Sequence, residues 1–213
     1  MVALPGAAAL GQPSPPAAPV DNGPYTVRAT PLSLALQPQA APQAAPAPAP
    51  QSAAQAFGLK GTEWMAVGGG VANDFSGATD YNLHLEYSQF LIDDIEFGLQ
   101  LHAWYFDQRG QNAAGINPAM IIRWHFIKED PWSAFGDLGI GVLLSNDNVP
   151  DKGTSLDFTP GFGVGLTRRI SDSGARLQTG LRWHHISNGR LNGDIRNPAR
   201  DAPYFYAGVQ FPF

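Results

Sequence analysis

The stretch TGLRWHHISNG, residues 179–189, sets two adjacent histidines and a serine into what otherwise reads as a β-strand. Side chains of a strand alternate between its two faces. Ala175, Leu177, Thr179, Leu181 and Trp183 form an apolar row, and continuing by twos brings His185 and Ser187 onto it. Arg176, Gln178, Arg182 and His184 form the opposite, polar row. Of the five histidines, only His185 has apolar-face parity. Positions i and i+2 of a strand stand roughly 6 to 7 Å apart at Cα, so an imidazole can reach the hydroxyl. Serine is a poor nucleophile until a positioned base takes its proton, and neutral imidazole is the usual base near pH 7. The pair therefore suits attack on an ester, with Asn188 and the backbone at Gly189 as donors for the developing oxyanion. The plain alternative is that His185 and Ser187 cap a strand end and SNG merely opens a loop.

The elements that would hold this pair follow period two from residue 57 onward. Eight runs have strand character, at about 60–73, 80–90, 94–107, 115–127, 131–145, 155–169, 174–188 and 203–213. Longer polar loops alternate with tight turns between them, the layout of an up-and-down antiparallel barrel. In the third run Ile95, Phe97, Leu99, Leu101, Ala103 and Tyr105 oppose Glu96, Gly98, Gln100, His102 and Trp104. In the last, Phe205, Ala207, Val209, Phe211 and Phe213 oppose Tyr204, Tyr206, Gly208 and Gln210. The first run, GTEWMAVGGGVAN, assigns no faces. The polar rows are poor in Lys and Glu and rich in Gly, Thr, Gln and His, which fits a narrow packed lumen better than a solvated surface. The expected fold is therefore all-β: an eight-stranded antiparallel up-and-down transmembrane β-barrel, filled by side chains and not a pore. Trp64, Tyr81, Tyr87, Tyr105, Trp132 and Trp183 are expected to form interfacial girdles. His84 beside Glu86, His102 near Glu96, His125 near Arg123, and His184 are expected in an interior hydrogen-bonded network.

The remainder of the composition mainly excludes. Residues 1–56 hold 12 of the 19 prolines and only two charges, Asp21 and Arg28. That segment is expected to be disordered, a spacer or a remnant of a targeting region, ahead of a barrel domain at 57–213. MVALPGAAAL has no preceding Lys or Arg and is interrupted by Pro5, a weak match to a secretory signal. The net charge of −5, without a basic stripe, argues against nucleic acid as a partner. No cysteine is present, so thiolate chemistry is excluded. No run of 18 apolar residues exists for a transmembrane helix. Histidines scattered over different strands give no metal-ligand spacing, so neither a metal nor another cofactor is expected.

HISNG followed by NP and a closing aromatic strand resembles the lipid A 3-O-deacylases, the PagL-type acyloxyacyl hydrolases of Gram-negative outer membranes. The likeness in layout spans the barrel domain, and its specific part is confined to residues 183–213. It implies an eight-stranded outer-membrane barrel that removes an ester-linked acyl chain from lipid A or lipopolysaccharide. It further implies His185 as general base, Ser187 as nucleophile, and Asn188 with Gly189 as the oxyanion neighbourhood. Family members carry a Glu after this motif that orients the histidine. Aligning the terminal strands without a gap puts Pro203 there, and Asp201, two residues earlier on the same lipid-side parity, becomes the substitute orienting acid. The implied partners are lipid A or lipopolysaccharide and outer-membrane lipids, with a homodimer left open. A non-catalytic outer-membrane barrel and a soluble lipid-binding barrel remain the alternatives.

Overall fold

The computed structural model describes residues 57–213, and the segment 1–56 read as disordered lies outside the described residues. The strands are β1 (Glu63–Asn73), β2 (Thr79–Ile92), β3 (Ile95–Asp107), β4 (Ala113–Glu129), β5 (Trp132–Val149), β6 (Thr154–Phe158), β7 (Gly161–Arg169), β8 (Arg176–Ile186) and β9 (Arg200–Pro212). All pair antiparallel with their neighbours. The ring closes where β9 joins β1, from Trp64 opposite Pro212 to Ala72 opposite Tyr204. The run expected at 155–169 is two strands, because Pro160 has no N–H to offer the ladder and the wall breaks at Thr159–Pro160. β6 and β7 together make one stave of eight. Tight turns at 93–94 and 130–131 and a longer one at 170–175 share one end with both ends of the barrel domain. The loops 74–78, 108–112, 150–153 and 187–199 share the other.

The distribution of polarity is inverted relative to a water-soluble protein. Leu83 is 71% exposed and Phe162 62% on the outer wall, whereas Arg123 and Glu96 are each 1% exposed inside. Covering one large apolar side chain is worth about 1.5–3 kcal/mol, so a wall of them is stable only against hydrocarbon. Closure gives both terminal strands, β1 and β9, a partner on each side, so no open edge is left between them for hydrocarbon to meet. Tyr81, Tyr105 and Trp183 are exposed towards the loop end, and Tyr87 and Trp132 towards the turn end, as girdles should be. Trp64 is a correction: it is buried in the lumen, edge-on to Phe57 at 5.2 Å. It also fixes the faces of β1, with Trp64, Ala66 and Ala72 inward and Met65, Val67 and Val71 outward.

The lumen is a packed plug of paired charges and aromatic rings. Arg123 Nη1 lies 3.0 Å from Glu86 and 2.6 Å from Glu96. Arg182 grips Asp137 through Nε and Nη2 at 3.1 and 2.8 Å, and Arg200 meets Asp80 at 2.6 Å. Buried charges are tolerable only when paired in this way. Three of the four lumen histidines join the network, with partners other than those expected, while the side chain of His184 makes no hydrogen bond among the described residues. His102 bonds Gln100 and Asn82, not Glu96, and His84 bonds Asn82, not Glu86. His125 bonds Glu96 at 3.2 Å and Ser133 at 3.0 Å. His184 stacks on Trp104 with ring centroids 4.9 Å apart.

Candidate active site

β8 and β9 build the site at the loop end of the outer wall. β9 begins at Arg200, three residues before the run expected at 203–213, and its register sets Asp201 directly opposite His185. His185 Nδ1 lies 2.8 Å from Asp201 Oδ1, and His185 Nε2 lies 2.9 Å from Ser187 Oγ. A carboxylate only accepts, so the proton sits on Nδ1, and Nε2 of the neutral ring is left to accept from the serine hydroxyl. Trp183 Nε1 donates to the same Asp201 oxygen at 3.0 Å, which pins the carboxylate from a second direction. The His185 side chain is 29% exposed and that of Asp201 47%. The chain of hydrogen bonds thus lies open on the wall, and a substrate must reach it from the side.

Ser187 is held by the strand that the proline break sets free. It lies just beyond β8, yet its C=O accepts from Phe158 N–H at 2.7 Å and its N–H donates to Phe158 C=O at 3.1 Å. His185 N–H donates to Pro160 C=O at 3.1 Å. The chain then leaves the wall through a tight turn in which Gly189 and Arg190 both have positive φ, +60° and +65°. Glycine adopts that backbone without strain, while Arg190 is held there by its N–H bond to Asn188 Oδ1 at 2.9 Å.

The two residues expected around the oxyanion are placed differently. Asn188 points inward and is 1% exposed; its Nδ2 donates to Thr154 Oγ1 and to Arg196 C=O, which ties the start of the loop to β6 and to the loop's far end. Its backbone N–H donates to Asn197 Oδ1 at 3.0 Å. Asn188 therefore has its donors engaged, whereas the Gly189 N–H meets no acceptor among the described residues. Asn197, which sequence reasoning passed over, is brought beside the residue that follows Ser187, with its Nδ2 uncommitted among the described residues. The NP dipeptide after the motif was the available signal, but its span of loop hid the contact. Among the described residues no three His, Asp or Glu side chains converge as metal ligands.

The closed barrel with an apolar outer wall defines the chain as an outer-membrane-type β-barrel, and its wall carries a Ser–His–Asp chain of the kind hydrolases use. The chain belongs to the lipid A 3-O-deacylase (PagL) family, whose model matches residues 75–209 and so includes β8, the following loop and Asp201. Among solved structures, the outer membrane enzyme PagL is similar at 19% identity, covering 70% of this chain and 99% of that one, with a TM-score of 0.51. Neisserial surface protein A is similar at 12% identity, covering 71% and 96%, with a TM-score of 0.52. At those identities the likeness speaks for the fold. No curated protein matches the chain.

Proposed function

We propose that this protein is a lipid A 3-O-deacylase working from the outer-membrane wall, with Ser187 as nucleophile, His185 as general base and Asp201 holding the imidazole. The observation that carries the reading is the continuous hydrogen-bonded chain from Asp201 through His185 to Ser187 on the lipid-facing wall. Ser187 Oγ attacks the ester carbonyl as His185 Nε2 takes its proton. The oxyanion is met by the Gly189 N–H and Asn197 Nδ2, two donors uncommitted among the described residues. Collapse breaks the bond to the sugar oxygen, which leaves with the proton held by His185. Water then attacks the acyl-serine, again deprotonated by His185, and releases the fatty acid while Ser187 Oγ is reprotonated.

The wall supplies a resting place for the acyl chain. A cavity of about 390 Å³ is lined by Leu99, Pro118, Met120, Ile140, Val142 and Phe158. Phe158 is the backbone partner of Ser187, so the apolar surface begins at the nucleophile. The decisive experiment follows the mass of purified lipopolysaccharide incubated with detergent-refolded wild type and with Ser187→Ala. Loss of one hydroxyacyl chain with wild type only is expected. No mass change with a barrel that still shifts on heating in gels would leave a non-catalytic barrel.

A further inference from the structure

Three cavities of about 330, 340 and 390 Å³ on the outer wall are lined mostly by apolar side chains, as lipid-facing grooves should be. Another, of about 380 Å³, is polar and opens at the loop end. It lies between the loops that follow β1, β3 and β5 and the start of β9, and Asp201 is part of its wall. The cavity therefore begins where the hydrogen-bonded chain to Ser187 ends.

Its charges sort into those already engaged and those that are not. Arg200, at 5% exposure, is satisfied by Asp80 and Gln108 and lies 4.0 Å from Asp74. Asp74 accepts from Ser76 N–H at 2.8 Å and Ala78 N–H at 3.0 Å. Burial acts to raise its carboxyl, but the Ala78 and Ser76 N–H groups, the Ser76 hydroxyl and the charge of Arg200 together hold the group below its ordinary value. Asp201 is engaged by His185 and Trp183. Arg109 and Lys152 make no ion pair and no side-chain hydrogen bond among the described residues, though both line the cavity. The bare backbone of Gly77 lets the Arg109 guanidinium lie across it, since a Cβ there would stand 3.3 Å from Nε. Three aspartates also line the cavity: Asp74 and Asp201 have hydrogen bonds of their own, and Asp151 lies against Gly110, so Arg109 and Lys152 are the lining cations left without a counter-ion among the described residues.

We propose that this cavity is a head-group subsite in which Arg109 and Lys152 bind a phosphate monoester carried on the glucosamine backbone of the lipid. The inference rests on the deacylase reading above and adds what that reading lacks, a reason why one ester among several is presented to Ser187. A phosphate on an acylated glucosamine lies close to the ester, and the cavity is joined to the serine through Asp201, which lines the one and bonds the histidine that reaches the other. Arg supplies a planar fork to two phosphate oxygens and Lys a point charge, the usual division of labour around such a group.

The test compares bis-phosphorylated lipid A with the same lipid stripped of phosphate, in detergent micelles. The enzymes are wild type, Arg109→Gln/Lys152→Gln, and Lys60→Gln as a charge control on the turn end. Wild type and the Lys60 variant should favour the phosphorylated lipid in kcat/KM, by roughly five- to tenfold per cation. The double variant should lose that preference through KM. Equal kcat/KM of wild type on the two lipids overturns the proposal, as does a preference that the double variant keeps. Inorganic phosphate should compete weakly with the phosphorylated lipid on wild type and not on the double variant; competition by phosphate without any preference between the two lipids would assign the cavity to a free anion and overturn the lipid-borne reading. If wild type deacylates neither lipid, the deacylase reading itself fails, a result distinct from loss of discrimination.

Discussion

Replacing Asp201 by Asn separates the two jobs that the proposed mechanism assigns to the carboxylate, and Trp183 decides how they separate. Asp201 Oδ1 accepts from both His185 Nδ1 and Trp183 Nε1. In Asp201→Asn the indole N–H still demands an acceptor, so the amide oxygen stays in that place and the imidazole keeps its tautomer. Only the charge is lost. At 2.8 Å a carboxylate and an imidazolium attract by about 1.5 kcal/mol at a dielectric of roughly 80 and about 3 kcal/mol at half that. The 47% exposure of Asp201 favours the lower figure. The expected loss in kcat is therefore roughly 10- to 150-fold, with KM little changed. Trp183→Phe alone removes one exposed hydrogen bond and should cost only a few-fold. Combined with Asp201→Asn it frees the amide to turn its N–H towards Nδ1. That fixes the wrong tautomer, so the double variant should lose at least about tenfold more than the two effects multiplied. Initial rates of acyl release from lipopolysaccharide by mass spectrometry, with heat-shifted mobility as the folding control, measure all four proteins. A wild-type rate in Asp201→Asn would refute the role of the carboxylate, and simple multiplication in the double variant would refute the role of Trp183.

Other consequences follow from the wall, the plug and the loop. Arg123→Met strands Glu86 and Glu96 without their cation and should lower stability by about 3–5 kcal/mol, read from the urea midpoint of the refolded barrel; an unshifted midpoint would mean the pair is dispensable. Leu85→Arg puts a charge on the outer wall near mid-strand and should cost about 2–4 kcal/mol in bilayers. The same substitution at the exposed loop residue Leu191 should cost little, so equal losses at both sites would contradict a membrane-spanning wall. Asn188→Ala removes the clamp on Thr154 and Arg196 and should reduce kcat by about tenfold or more while the barrel still refolds; full activity would show that the loop is positioned by other contacts.

The strands and their faces were legible because period-two alternation is imposed residue by residue by the contrast between lipid and lumen. The faces of β3 and β9 can be read off for that reason, although β9 begins three residues before the expected run. Legibility failed at β1, where Gly68, Gly69 and Gly70 carry no polarity, and Trp64, taken for a girdle residue, fills the lumen beside Phe57 and Phe90. Pro160 was a visible signal of a broken strand, but one whose consequence, a separate strand holding Ser187, needs the neighbouring β8 to appear. The lumen partners of His84 and His102 depend on register and side-chain reach, which nearness in sequence does not encode.

By itself the sequence determined a barrel, the outward parity shared by His185, Ser187 and Asp201, and the kinds of group available for acyl transfer. These are local properties, set by alternation and residue type. Only the tertiary structure decided that β9 starts early enough to bring Asp201 opposite His185, that Asn188 turns inward as a clamp, that Asn197 folds back onto Asn188, and that Arg109 lines a cavity shared with Asp201. Those outcomes depend on pairing register across long loops, where the contacts that choose the register lie many residues from the side chains they bring together.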